Sequence, residues 1–207
     1  MNCSQKAFST PKNKYLSPVN NKAQTEHAIT MYKTIQSSNI LLVEGTEKIL
    51  NAALMGNGNL SALLEVIVPD KWSEFGNIIL QYSLERVLSD PSEAMWWTWF
   101  PIHKEARTLI GSCGYKGKPE NGMVEIGYEV IESYRNKGYA TEIAKALLDF
   151  AFEHKAVNVV QAHTLAEKNA SGSILTKCGL KWVGELEDEE DGTIWKWRIS
   201  RFEYENG

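Results

Sequence analysis

Apolar residues recur with a period of two over three stretches in the middle of the chain. The stretches are MWWTWFPI (95–102), RTLIGSCGY (107–115) and MVEIGYEVI (123–131), and the turn-forming KGKPENG separates the second from the third. A period of two residues is typical of half-buried strands. We therefore predict three consecutive antiparallel strands with hairpin connections.

The apolar positions change to a helical period after residue 139. They then share one face of a predicted amphipathic helix: Ala140, Ile143, Ala144, Leu147, Leu148 and Ala151. An apolar strand (157–163), a short helix (169–177) ended by Gly179, and a closing hairpin across the acidic EDEEDG follow. A helix that connects two strands of one sheet implies a parallel pair inside an otherwise antiparallel sheet.

Weaker patterns precede the alternating stretches. The apolar NILLVEG (39–45) predicts a first strand, and Thr46 predicts the start of a helix that ends at Gly56. The glycine-rich GNGN (56–59) predicts a turn. Residues 73–88 predict a second helix, with one face formed by Phe75, Ile78, Ile79, Tyr82 and Leu88.

Length and composition are those of one folded domain. The 207 residues are 43% hydrophobic, which is enough to bury a sizeable core. Asn, Lys, Ser and Pro are frequent near the start, so we expect an N-terminal arm over residues 1–38, partly disordered or helical. The folded domain is expected over residues 39–203.

Charge and cysteine usage argue against several classes of protein. A formal net charge of −4 argues against a general nucleic-acid binder, so no nucleic-acid partner is expected. The three cysteines are widely spaced, which predicts neither a disulfide framework nor a metal site. No apolar run approaches the length of a membrane span and no secretory signal is visible, so we expect a soluble, cytoplasmic protein without membrane association.

A short basic loop, RNKGYA (135–140), joins the third alternating stretch to the amphipathic helix. A helix N-terminus presents unpaired backbone N–H groups and the positive end of the helix dipole. Gly138 lets the backbone come close to a ligand, while Arg135 and Lys137 add positive charge. The spacing of a Walker A loop is absent. In this setting the pattern favours a pyrophosphate site over an ordinary helix start with basic surface residues.

The same loop matches the R/Q-x-x-G-x-G/A acyl-CoA motif of the GCN5-related N-acetyltransferase (GNAT) superfamily. VEIGYEV (124–130) resembles the central strand of that family, and NASGSILTKCGLKWVGE (169–185) resembles its next helix and strand. The three segments agree in order and spacing over roughly residues 95–200. On this resemblance the chain is identified as a member of the superfamily, closest to the branch that includes ribosomal-protein N-terminal acetyltransferases.

The resemblance implies a fold and a cofactor. The expected class is α/β (α+β): a single mixed, mostly antiparallel sheet with flanking helices, whose fourth and fifth strands splay into a V. The pantetheine arm of acetyl-CoA would lie in the V, and its pyrophosphate would lie on the loop. The resemblance assigns cofactor binding to Glu129, Val130, Arg135, Asn136, Lys137, Gly138, Tyr139, Ala140, Thr141 and Asn169. Asn169 would alternatively cap the helix that follows it.

The resemblance leaves the catalytic groups open. The family's usual glutamate on the fifth strand is Gln161 here, which cannot accept a proton, and its usual tyrosine acid is Leu175. The remaining candidates are Glu125 on the fourth strand, His163 on the same face as Gln161, and Ser171, where the ribosomal-protein branch has a serine. Their plain alternatives are a solvent-facing carboxylate, a hydrogen-bonded strand histidine and a serine at a helix start.

Three functions follow from these residues. The resemblance implies an acetyl-CoA-dependent N-acetyltransferase, in which an acceptor amine on a peptide or a small molecule attacks the thioester directly. Gln161 and Leu175 keep open a catalytically silent CoA-binding regulatory module, and a thioester hydrolase is a third alternative. A homodimer is plausible for the family.

Two tryptophans raise a separate question about the acceptor site. Alternation places Trp97 and Trp99 on the same face of the first predicted strand of the meander. That face would pack against a helix in the core. The alternative is an aromatic wall for the acceptor amine.

Overall fold

A computed structural model describes Ile29 and residues 31–207. Residues 1–28 and residue 30, which form most of the predicted N-terminal arm, lie outside the described residues. Within the part that is described, no helix is both long enough and apolar enough to cross a membrane.

Nine strands form one sheet in the described part of the chain. They are β1 (Thr34–Gln36), β2 (Ile40–Glu44), β3 (Thr98–His103), β4 (Thr108–Leu109), β5 (Gly111–Tyr115), β6 (Met123–Val130), β7 (Val159–Leu165), β8 (Lys181–Asp188) and β9 (Gly192–Ser200). Their spatial order is β1-β2-β3-β5-β6-β7-β9-β8, with β4 paired to β3 beside this path.

Six α-helices are described together with two short 3-10 segments, Pro91–Trp96 and Glu132–Tyr134. The helices are α1 (Glu47–Leu54), α2 (Asn57–Leu64), α3 (Gly76–Ser89), α4 (Tyr139–Glu153), α5 (Ala170–Lys177) and α6 (Arg201–Asn206).

The sheet is mixed, as the sequence predicts. Every strand pair is antiparallel except β6 with β7, which run parallel because α4 carries the chain from one to the other. The predicted fold class is therefore confirmed: a mostly antiparallel single sheet with flanking helices.

Two hydrophobic clusters hold the helices on opposite faces of the sheet. One lies between α4 and the central strands, where Ile143 and Leu147 are fully buried. The other lies between α1, α2, α3 and the first strands, around Leu50, Leu60 and Phe100. Burying each such side chain stabilises the fold by about 1.5–3 kcal/mol. The helices are therefore held against both faces of the sheet by the burial of apolar side chains.

The turn predicted at residues 56–59 is wrong. Gly56 adopts a left-handed φ of +114° between α1 and α2, but α2 begins at the next residue and includes Gly58. Leu60 and Leu64 of α2 are fully buried. Their burial outweighs the low helix propensity of the glycine, which costs about 1 kcal/mol.

The apolar face predicted for α3 is also not the buried one. The side chains that α3 buries are Leu80, Ser83 and Val87, whereas Phe75, Ile79 and Tyr82 are exposed. Ser83 faces the sheet because its hydroxyl bonds to Thr98 Oγ1 at 2.7 Å. A buried polar pair of this kind cannot be recognised from hydrophobic periodicity.

Trp97 and Trp99 do not share a face. Trp97 ends the 3-10 segment with φ −126° and ψ −132°, and strand β3 begins only at Thr98. Trp97 packs with α3 in one cluster and Trp99 packs with α4 in the other. Both are core residues, as the plainer alternative expected, but on opposite sides of the sheet.

Strand β1 and helix α6 are absent from the sequence prediction. Helix α6 had a recognisable start, since Ser200 and Glu203 form a capping box in which each side chain bonds the other residue's backbone N–H. Strand β1 is only three residues long and pairs with β2 at the edge of the sheet. So short a run carries no periodicity.

Glu142 in the first turn of α4 ties that helix to the start of β2. Its carboxylate accepts hydrogen bonds from the backbone N–H groups of Asn39 and Ile40 and from Asn39 Nδ2. Burial raises the pKa of Glu142, but the bonds from Asn39, Ser37 and Ile40 outweigh it, and the net pKa is lowered. The carboxylate form therefore stabilises the fold above the ordinary pKa of glutamate, and this stabilisation is lost as the pH falls through the lowered pKa.

Glu142→Gln is expected to lower the free energy of unfolding by about 1 kcal/mol at neutral pH, because charge-assisted bonds are replaced by weaker ones. The difference should shrink in acid, where the wild-type carboxyl group is protonated. Urea denaturation at neutral and acidic pH measures both values. Glu153→Gln, at the exposed end of the same helix, is the matched control, and a Glu142→Gln effect independent of pH would contradict the assignment.

Candidate functional site

A gap opens inside the sheet between β6 and β7. The parallel pairing consists of only three residue pairs, of which the last joins Glu125 to Gln161. Strand β6 continues to Val130 and β7 continues to Leu165 without further pairing between them. The two strands therefore diverge. They correspond to the fourth and fifth strands of the family fold, which the resemblance predicts to splay into a V.

One edge of β6 points into this gap. The N–H of Ile131 bonds Ile110 and the C=O of Glu125 accepts from Lys116, so these odd-numbered positions direct their backbone groups toward β5. By alternation, the backbone groups of Tyr128 and Val130 point to the β7 side. Tyr128 was not among the predicted cofactor residues, although the period of two in its strand places its backbone groups on the same edge as those of Val130.

The loop that ends at α4 lies at the mouth of the gap. Asn136 and Gly138 both have left-handed backbone conformations, with φ +60° and +86°. A Cβ at Gly138 would have no atom within 4 Å, so the conformation and not the space requires glycine. No side chain caps α4 at Gly138. The first N–H groups of the helix are therefore available to a ligand.

The two basic side chains of the loop are held by neighbouring groups. Arg135 donates from Nε to the C=O of Val130 at 2.8 Å and pairs with the Glu74 carboxylate. Lys137 donates to the C=O of Ser133 at 2.8 Å. Both cations thus lie beside the mouth of the gap, in defined positions.

Tyr139 at the start of α4 is fixed by a histidine that the sequence did not reveal. His103 Nδ1 accepts the backbone N–H of Ala106, so the ring proton is on Nε2 and is donated to the Tyr139 hydroxyl at 2.9 Å. His103 is the last residue of β3 and is buried. The contact therefore anchors the beginning of α4 to the sheet.

Glu125 lies where the parallel pairing ends and is surrounded by donors. Its carboxylate is 2.5 Å from Lys116 Nζ and 3.0 Å from His163 Nδ1, and it accepts a bond from the Gln161 side chain at 2.9 Å. Burial raises the pKa of Glu125, but the contacts with Lys116 and His163 lower it by more, so the net pKa is below the ordinary value of glutamate. The carboxyl group is therefore ionised at neutral pH.

His163 is oriented by that carboxylate. Because ionised Glu125 only accepts, Nδ1 of His163 carries a proton, and in the neutral imidazole the lone pair is therefore on Nε2. Nε2 is buried and has no hydrogen-bond partner among the described residues. The structure thus brings two predicted catalytic residues together, and Gln161 supports the pair by donating to Glu125 while accepting from Arg198.

Ser171 and Asn169 lie at the start of α5, apart from this pair. Asn169 caps the helix, its side-chain oxygen accepting the N–H of Gly172 at 2.9 Å. The C=O of Ser171 is 3.5 Å from the Tyr128 hydroxyl. Burial raises the pKa of Tyr128, which keeps this hydroxyl protonated.

Glu129 is engaged on the face of the sheet that carries Glu125. One carboxylate oxygen accepts from Ser112 Oγ at 2.7 Å and the other accepts the backbone N–H of Glu74 at 2.8 Å. The segment before α3 is therefore bonded to β6 through Glu129 and to the basic loop through Arg135.

Comparison with known proteins identifies the family. The model of the acetyltransferase (GNAT) domain matches residues 69–181. An uncharacterised N-acetyltransferase of Bacillus subtilis, YjdG, is 34% identical over 83 residues, which is 40% of this chain and 49% of that protein. The chain thus spans about half the length of the curated relatives that it matches.

Solved structures share the fold at low identity. The ribosomal L7/L12 α-N-protein acetyltransferase RimL, in complex with coenzyme A, gives a TM-score of 0.60 at 13% identity, covering 81% of this chain and 98% of that one. A chimera of spermidine N-acetyltransferase SpeG from Vibrio cholerae and hSSAT gives 0.60 at 16% identity, covering 82% and 100%. At these identities the likeness concerns the fold alone.

Proposed function

The chain belongs to the GNAT acetyltransferase family, and we propose that it is an acetyl-CoA-dependent N-acetyltransferase. The observation that carries the proposal is the gap between β6 and β7, which leads directly to the open N-terminus of α4. A strand edge inside a sheet can pair with the amide groups of a pantetheine arm as it would with an added strand. The helix N-terminus beside it suits a pyrophosphate.

The residues around the gap fit that cofactor. The strand edge consists of Tyr128 and of the N–H of Val130, whose C=O already accepts from Arg135. Glu129, which the sequence places at this edge, directs its backbone toward β5 and instead holds the segment before α3 through its carboxylate. The loop supplies the phosphate contacts that the sequence predicts: Arg135, Asn136, Lys137, Gly138, Tyr139, Ala140 and Thr141. Asn169 contributes by capping α5 at the other side of the gap. When bound, acetyl-CoA supplies an acetyl group already activated as a thioester.

We propose that His163 accepts the proton of the acceptor amine. A free ammonium has a pKa near 10 and must lose a proton before it can attack. His163 Nε2 has no hydrogen-bond partner among the described residues, so in the neutral imidazole its lone pair is uncommitted, while Glu125 holds the opposite nitrogen and stabilises the imidazolium that forms. The lowered pKa of Glu125 makes that carboxylate the weaker base of the pair.

Donors for the departing thiolate lie across the gap. The Tyr128 hydroxyl is protonated and lies beside the first turn of α5, where Ser171 sits. Either hydroxyl can hold the acceptor or pass a proton through water.

The silent-module alternative was based on Gln161 and Leu175. Gln161 orients Glu125 through its amide, so its presence is compatible with chemistry. Leu175 is buried in the core between α5 and the sheet. The proposed partners are therefore acetyl-CoA and an amine on a peptide or a small molecule.

The proposed function is tested by release of free thiol from acetyl-CoA with a panel of amines. The panel contains peptides with free N-termini, polyamines, amino acids and aminoglycosides, and a reaction without amine measures hydrolysis. We expect thiol release that depends on one class of amine. Heat protection by acetyl-CoA without thiol release from any amine would favour the silent module, and thiol release without amine would favour the hydrolase.

His163→Gln is expected to lower kcat by roughly 10²–10⁴-fold, because glutamine keeps a donor toward Glu125 but cannot accept a proton. The acid limb of the pH–kcat profile should disappear, while the Kd for acetyl-CoA stays unchanged. His154→Gln, which alters a histidine at the far end of α4, is the control. Full activity of His163→Gln would leave Glu125 as the base.

Gly138→Ala is expected to weaken acetyl-CoA binding by roughly tenfold, since a left-handed conformation costs an L-residue about 1–2 kcal/mol, so the free loop leaves that conformation and the cofactor must restore it. Isothermal titration calorimetry gives the Kd. Gly58→Ala, in α2, is a matched control because a Cβ there also has no atom within 4 Å but the φ is not left-handed. Equal Kd values for the two variants would mean that the loop conformation does not matter for the cofactor.

A further inference from the structure

Three side chains form a row across the sheet beside His163. The register places Glu125 of β6 opposite Gln161 of β7, and Gln161 opposite Arg198 of β9. Residues that lie directly opposite each other in a sheet project from the same face, and so does His163, two residues after Gln161. The row therefore runs from an arginine on β9 to the carboxylate that contacts His163.

Hydrogen bonds connect the members of the row. Arg198 donates from Nε at 3.3 Å and from Nη2 at 3.2 Å to the side-chain oxygen of Gln161. The amide nitrogen of Gln161 donates to Glu125 Oε2 at 2.9 Å, and Glu125 Oε1 lies 3.0 Å from His163 Nδ1. Arg198 is thus linked to the imidazole through two intervening side chains.

Arg198 determines which way the Gln161 amide points. The two ends of an amide have nearly the same shape, so the partners on either side decide its orientation. A guanidinium group only donates, and an ionised carboxylate only accepts. With Arg198 on one side, the oxygen of Gln161 faces β9 and its NH2 group faces Glu125.

The guanidinium of Arg198 is committed to this amide. Arg198 is half-buried, and no carboxylate among the residues that the structure describes forms an ion pair with it. Two of its N–H groups converge instead on one amide oxygen. A charged donor makes a strong hydrogen bond and polarises the next bond in a chain, so Arg198 also strengthens the bond from Gln161 to Glu125.

We propose that Arg198 and Gln161 are positioning residues for the acetyl transfer, which hold the ionised carboxylate of Glu125 against His163 Nδ1. In this arrangement Gln161 has a role that a glutamate cannot perform, because a carboxylate has no proton to donate to Glu125. The inference rests on the proposed function, in which His163 accepts the proton of the acceptor amine.

Gln161→Glu introduces the residue that is usual in the family, yet we expect it to lower kcat by roughly 10–100-fold. The new carboxylate would accept from Arg198 and lie within hydrogen-bonding distance of Glu125, where two carboxylates cannot both be ionised. A proton shared between them removes the charge that stabilises the His163 imidazolium. The amine that the panel identifies is used for the assay, and a kcat equal to or above that of the wild type overturns the proposal.

A double-mutant cycle tests whether Arg198 acts through Gln161. Arg198→Met is expected to lower kcat about tenfold in the wild type and to have almost no further effect in Gln161→Met, because residues that act as a unit are not additive. The KM for acetyl-CoA should stay unchanged, and Arg198→Lys, which keeps a charged donor, should recover part of the loss.

Lys181→Met is the matched control for this cycle. Lys181 lies opposite Arg198 on β8, but it pairs with Glu203 and its side chain is 70% exposed. Its removal should therefore leave kcat unchanged. Equal losses from Arg198→Met in both backgrounds would mean that Arg198 acts independently of Gln161, which overturns the proposal.

Nitrogen NMR of the His163 imidazole gives a measurement that does not need turnover. The neutral wild-type ring is expected to carry its proton on Nδ1, whereas Gln161→Glu and Arg198→Met should give a mixture of both tautomers. The spectrum of His163→Gln assigns the signal among the four histidines. An unchanged tautomer in both variants overturns the positioning role alone. Tautomer changes as expected, without thiol release from the wild type with any amine, overturn the proposed function instead.

Discussion

The shortness of the parallel pairing between β6 and β7 is the constraint on which the rest of the site depends. Three residue pairs join the two halves of the sheet, and beyond Glu125 the backbone groups of β6 face an open gap. A buried N–H or C=O without a partner costs about 1–3 kcal/mol. Such an edge in the middle of a sheet persists because α4 packs across the central strands and fixes their separation.

The register of that pairing also determines which side chain lies beside Glu125. Because Glu125 is opposite Gln161, the side chain two residues further along β7 projects from the same face, and it is His163. A shift of one residue in the register would turn the His163 side chain toward α4. A neighbouring side chain that packs against α4 in the present register would then take its place beside Glu125. The buried charge of Glu125 is tolerated because Lys116 Nζ and His163 Nδ1 lie within 3.0 Å of one carboxylate oxygen and Gln161 donates to the other.

Local patterns were sufficient for the meander, for α4 and for the loop before it, because those elements follow from periodicity and one glycine. They failed where a distant residue decides the outcome. Ser83 faces the core because of Thr98, and Tyr139 is placed by His103, which lies 36 residues away. Similarly, sequence reasoning listed Glu125 and His163 as alternatives, since only the register shows that they touch.

The segment before α3 joins the two halves of the proposed site. Glu74 bonds β6 through its backbone N–H and bonds Arg135 of the basic loop through its carboxylate. A phosphate beside Arg135 would compete with Glu74 for the guanidinium, because both are anions that accept from the same N–H groups. The pair is exposed and its net contribution is small, about 0–1 kcal/mol, so either partner can be exchanged at little cost. The segment before α3 and the mouth of the gap are therefore joined through one guanidinium group, which a bound phosphate would draw away from Glu74.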